Sequence, residues 1–218
     1  WTQKLSGLTL TDCKLTIRAD DKKHSVHKGK LLFTHVGVTG PTVLNLSKTV
    51  GELLQYAAVT LYVDVLPTLD AAGVDGRLKE LFATESNKKV RNALSALVPA
   101  ALAKAVLEQC QIDGETQCHS ITKEERKKLR VYLQAIPLPV KGLLGKGKAV
   151  VSAGGVQLEE VDFKTMQSRV VSGLYLVGDV LNINRPSGGY GLQLCWSTGF
   201  VAGGSVSTVS ARGVLCCK

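Results

Sequence analysis

No C-x-x-C pair, no G-x-S-x-G turn and no strand running into G-x-G-x-x-G occurs in these 218 residues. The first absence argues against a zinc site and a small disulfide framework. The second removes the elbow that would present a serine nucleophile, and the third removes the opening of a two-domain dinucleotide fold. Aromatic residues are 5% of the chain, and only Tyr132 stands near the basic run Lys123 to Arg130, too little stacking surface for a single-strand nucleic-acid binder. Long apolar runs are missing as well. Even Leu97 to Leu107 is interrupted by Pro99 and Lys104, so no membrane partner is expected.

Six cysteines, at 13, 110, 118, 195, 216 and 217, read as reduced thiols in an intracellular, cytoplasmic compartment, with Cys216-Cys217 an unstructured or artificial terminus. No carboxylate or histidine spacing suggests a metal. The net charge of +9 is uneven: residues 86–148 carry 12 basic and 5 acidic groups, against 3 and 6 in 31–85. Charge runs usually face water, so this segment reads as a solvated helical surface and nucleic acid is not expected as a partner.

What is present divides by period. Cys13, Leu15 and Ile17 alternate on one strand face, Asp20-Asp21-Lys-Lys reads as a polar turn, and Ala57 to Val65 is an apolar, β-branched run. Gly40-Pro41 should start a short helix through Leu46. From about residue 70 the apolar spacing becomes helical, ending with Thr122-Lys-Glu-Glu125, a capping box, and a stripe of Leu129, Tyr132, Leu133 and Ile136. Pro137-Leu-Pro139 should end that helix. The spacing predicts strands over Ala149 to Val156 and Leu174 to Val177, the segment near Ala149 completing the first sheet. The expected fold is α+β or α/β. Its first domain is 1–150, β-rich over 1–69 with a helical module over 70–140, followed by a second segment over 151–218.

The richest stretch is Gly173-Leu-Tyr-Leu-Val-Gly178-Asp179, then Ser187-Gly188-Gly189-Tyr190-Gly191-Leu192-Gln193: an apolar strand, an acid, a glycine loop and a helix start. Glycines let backbone approach a ligand closely, and a helix N-terminus attracts negative charge. Together with Ala153-Gly154-Gly155-Val156, Thr165-Met166-Gln-Ser, Gly29 to Pro41 and Leu5-Ser-Gly-Leu, these blocks resemble the HI0933-like flavoproteins in order and spacing over nearly the whole chain. That family includes aminoacetone oxidases and NAD(P)/FAD-dependent oxidoreductases.

The resemblance implies FAD as cofactor, NAD(P)H or oxygen as a second redox partner, and a small organic substrate. It implies a barrel-like insertion followed by the C-terminal part of a Rossmann-like FAD-binding domain. With Trp1 in place of an initiator Met, the chain reads as a fragment lacking the region that carries the ADP half of the cofactor site. Cofactor contacts fall on Gly154, Gly155, Gly178, Asp179, Gly188, Gly189, Tyr190, Gly191, Leu192 and Gln193. Gly191 stands where the family usually has Asn, and Asn184-Arg185 replaces a more common Asp-Gly turn, leaving Arg185 to face a phosphate or nothing.

The catalytic residue is left open, with His35, before the Val36-to-Pro41 loop, as the candidate proton donor or acceptor. His24, His27 and His119 read as surface residues without partners. The competing reading is a non-enzymatic protein whose basic helical module contacts nucleic acid and whose nucleotide fold has decayed. Substrate, electron acceptor and oligomeric state are not legible.

Overall fold

The computed structural model describes residues 1–145, 147 and 154–213, with side chains to 206. The strand expected over Ala149 to Ala153 and the Cys216-Cys217 tail lie outside the described residues. The chain divides into two compact units, Trp1–Leu143 and Leu144–Lys218.

In the first unit, β1 (Thr9–Ala19) and β2 (Lys22–Thr34) form a long antiparallel hairpin. Its turn is Asp20-Asp21, both left-handed at φ 45° and 62°, the conformation a two-residue turn needs to match strand twist. β3 (Gly37–Thr39), β4 (Val59–Asp64) and β5 (Ile136–Pro139) complete an all-antiparallel sheet in the order β3-β2-β1-β4-β5. Thr11 and Asp12 together oppose the single Lys30, a bulge that bends the hairpin. Alternation puts Cys13, Leu15, Ile17, Leu31, Phe33, Val63 and Ile136 fully inside.

Helix α1 (Pro41–Leu53) starts behind Gly40 and runs beyond the expected Leu46, because Leu46, Val50 and Leu53 continue one buried face. It packs close on β2: a Cβ on Gly29 would stand 2.1 Å from Thr42 Oγ1. Four helices follow, α2 (Ala71–Thr84), α3 (Val90–Leu94), α4 (Ala100–Cys110) and α5 (Lys123–Gln134). Asp70 caps α2 through the Gly73 N–H, and Thr122 and Glu125 close the capping box of α5. Leu78, Leu94, Leu102, Leu129 and Leu133 join the sheet's inner face in one continuous core.

One expectation fails here. Ile136 does not end the helical stripe; it opens β5, pairing with Val63 while Leu138 pairs with Leu61. The prolines stop the helix, but Pro139 and Pro137 are tolerated because this strand is the sheet edge. β5 thus adds an edge strand that the spacing did not predict, while the expected contribution of the segment near Ala149 to this sheet falls outside the described residues.

In the second unit, β6 (Val161–Asp162) and β7 (Gln167–Ser168) form a short hairpin around left-handed Met166, which packs with Val161, Leu181 and Ala202 in a small separate core. Leu174 to Val177 is not a strand. Its backbone does pair, the Ser168 N–H donating to the Leu174 carbonyl and the Leu176 N–H to the Met166 carbonyl, but this amounts to one isolated bridge, Tyr175 to Gln167, because the facing β7 is only two residues long. Val156 likewise makes only a bridge, parallel, to Leu181. Helix α6 (Tyr190–Gly213) closes the unit.

Candidate functional site

The second unit brings most of the expected cofactor residues onto one turn-rich segment against α6. Gly178 opens a single helical turn, Gly178–Val180, at φ +67°. A Cβ there would lie 2.8 Å from Cys195 Sγ, so the turn seats against α6 only because residue 178 is glycine. The Gly178 N–H donates to the buried Thr198 hydroxyl at 2.9 Å, and that hydroxyl donates to the Leu194 carbonyl at 2.7 Å. Turn and helix are thereby tied together.

Asp179 follows with its side chain 68% exposed, and Arg185 Nη2 donates to its Oδ1 at 2.6 Å. Cys195 Sγ lies 3.8 Å from the same oxygen. Ahead of α6, Gly188 and Gly189 take left-handed φ values of +111° and +92°, and nothing lies within 4 Å of where either Cβ would stand. Leu192 and Gln193 N–H groups donate back to the Gly189 carbonyl, which places Gly189 at the helix cap. Tyr190 and Leu192 are exposed, and Gln193 Nε2 donates to Ser197 Oγ at 3.0 Å.

The glycines divide by what surrounds them. Gly155 serves the chain itself, since a Cβ would meet Val180 O at 2.5 Å and Asn182 N at 2.8 Å, beside the Val156 N–H to Val180 O bond. Gly154, Gly188 and Gly189 face open space. Two successive open, left-handed glycines at a helix start, beside an exposed carboxylate, fit a large ligand that carries hydroxyls and negative charge, as a flavin dinucleotide does.

Sequence reasoning missed Thr198, because a hydroxyl inside an apolar helix reads simply as helix. It left Arg185 open. The signal that could have found it is the coincidence of an arginine six positions ahead of a glycine: a Cβ on Gly191 would stand 2.9 Å from Arg185 Nε.

His35 lies exposed at the tip of the β2–β3 turn in the first unit, with no partner among the described residues. His119 does have a partner, contrary to expectation: its Nδ1 lies 2.9 Å from the Ser86 carbonyl. Burial raises the Cys13 and Cys110 thiols to about 11, so neither is a ready nucleophile.

Part of the basic charge on the helical module is internally paired, Lys88 with Glu85, Lys89 and Arg91 with Glu115, and Arg126 with Asp75. Lys123, Lys127, Lys128 and Arg130 on α5 have no ion pair among the described residues. Among the described residues, no helix is long and apolar enough to cross a membrane, and no group of three His, Cys, Asp or Glu side chains could hold a metal ion.

Residues 1–151 match the family model described as the HI0933-like protein barrel and H2TH domain. The chain belongs to the HI0933-like family. Among curated relatives it is 30% identical over 203 residues to the ribosomal RNA dihydrouridine synthase of Haemophilus influenzae, covering 93% of this chain and 47% of that protein. It is 28% identical to the 3-dehydro-bile acid delta(4,6)-reductase of Clostridium scindens (88% and 47%). It is 29% identical to the ribosomal RNA dihydrouridine synthase of Escherichia coli (80% and 41%). The chain thus spans about half the length of the curated relatives it matches. The relatives carry the names of enzymes, one of them a reductase.

Proposed function

We propose that this chain supplies the barrel, helical module and closing cofactor segment of an FAD-dependent reductase that saturates a carbon–carbon double bond conjugated to a carbonyl. The observation that carries the reading is the pairing of exposed Asp179 with the open Gly188-Gly189 entry to α6. The reaction class rests on the relatives' names. Forming dihydrouridine saturates a ring bond conjugated to a carbonyl, and a 3-dehydro substrate with double bonds at positions 4 and 6 presents the same conjugated system.

In this reading, residues 154–213 close a Rossmann-like FAD domain. Asp179 accepts a hydrogen bond from a cofactor hydroxyl. Gly188 and Gly189 would let the ligand meet the backbone directly, and the first turn of α6, from Tyr190 to Gln193, would offer its positive dipole end to negative charge on the cofactor. Gly178, Gly155 and Thr198 hold that loop in shape. A flavin bound there would supply the hydride, replenished from NAD(P)H, and a proton would complete the addition.

The test is anaerobic. The complete gene product, loaded with flavin and reduced by NAD(P)H, is offered uridine-containing ribosomal RNA or a steroid 4-en-3-one. Reoxidation of the flavin with a mass gain of two hydrogens in either substrate is the expected result. A protein that carries no flavin, or reduced flavin that neither substrate reoxidises, contradicts the proposal.

A further inference from the structure

Arg185 and Asp179 form an ion pair with its usual surface arrangement reversed. The guanidinium side chain is 13% exposed and the carboxylate 68%. Arginine ordinarily lets its charged head reach water. Here the head is turned inward, and Arg185 Nε, Cδ and Cζ lie 2.9, 3.6 and 3.6 Å from the position a Gly191 Cβ would take. The guanidinium therefore lies on the first turn of α6 in a space that exists only because residue 191 has no side chain. A cation at the positive end of a helix dipole is electrostatically disfavoured. The Asp179 carboxylate at 2.6 Å is the compensating anion.

The consequence falls on Asp179. An exposed aspartate on a short turn samples several rotamers, and fixing one costs side-chain entropy. Tied to a guanidinium packed against the first turn of α6, this carboxylate is already oriented. We infer that Arg185 is a positioning residue that fixes the Asp179 carboxylate for cofactor binding, with Gly191 providing the space for its guanidinium; this rests on the flavin reading of the same loop.

The test is a double-mutant cycle on flavin affinity in the complete gene product, stripped of flavin and titrated with FAD by fluorescence. The melting midpoint of each apoprotein serves as the folding control. Arg185→Ala should weaken binding by roughly tenfold, the effect of one hydrogen bond to a charged group. Arg185→Lys should recover part of the loss. Gly191→Ala should give a smaller loss in the same direction, because its Cβ crowds Arg185 Nε and the guanidinium must shift. In an Asp179→Ala background, Arg185→Ala should have no further effect.

Loss of the same factor in that background would overturn the role, since Arg185 would then act on the cofactor directly. Undiminished affinity in Arg185→Ala would overturn it too. A wild-type protein that takes up no flavin would overturn the flavin reading itself, and the positioning role with it.

Discussion

Asp75 is held by two cations, Arg126 Nε at 2.9 Å and Lys79 Nζ at 2.9 Å, which lower its carboxyl from an ordinary 3.8 to about 2. A carboxylate with a depressed folded value stabilises the fold above its unfolded value and loses that contribution as pH falls toward the folded one. The α2–α5 packing should therefore weaken between about pH 4 and pH 2. Urea midpoints measured across that interval should fall less in Asp75→Asn than in the parent; equal falls would refute the assignment. Asp179 was legible in the sequence because Gly-Asp after an apolar run is a recognisable pattern. Thr198 and the placement of Arg185 were not. They act across 20 and 6 residues of chain, through contacts that only the packing of α6 on the 178–180 turn creates.

At the scale of elements, signals local to one segment were readable: the Asp20-Asp21 turn, the capping box at Thr122, and the change of period near residue 70. Elements defined by a partner were not. Ile136 satisfies a helical stripe and a strand equally well, and only the available edge of β4 decides for β5. Leu174 to Val177 has the composition of a buried strand yet only Tyr175 is bridged.

The seating of α1 on β2 gives a sharp prediction at this scale. Gly29→Ala should destabilise the first unit by about 1–3 kcal/mol, since its Cβ would collide with Thr42 Oγ1 and the glycine sits at φ +151°. Thr42→Ala in the same protein should return part of that loss in denaturant titration. Strict additivity of the two substitutions would contradict the contact. In α5, Leu133→Ala should cost about 2–5 kcal/mol from its fully buried site, and Thr122→Ala about 1 kcal/mol from the lost cap.

At the scale of the whole molecule, the chain spans about half the length of its relatives, and the proposed reading gives it the 178–193 loop with which to hold a dinucleotide. One helix N-terminus contributes on the order of 0.3–2 kcal/mol and each hydrogen bond about 1 kcal/mol. Immobilising a ligand costs an estimated ~4–15 kcal/mol. The 218-residue chain alone should therefore not reach sub-micromolar FAD affinity in a direct titration; stoichiometric binding at that level would show that the rest of the cofactor site is already within it. The measurement that tests the central claim most directly is the flavin-to-protein ratio of the complete gene product, purified as wild type, Asp179→Ala and Gly189→Val. Near-stoichiometric flavin in the wild type, with a loss of roughly tenfold in affinity for each variant, is the predicted result. Equal flavin in all three, or none in the wild type, would contradict the placement of the cofactor on this loop.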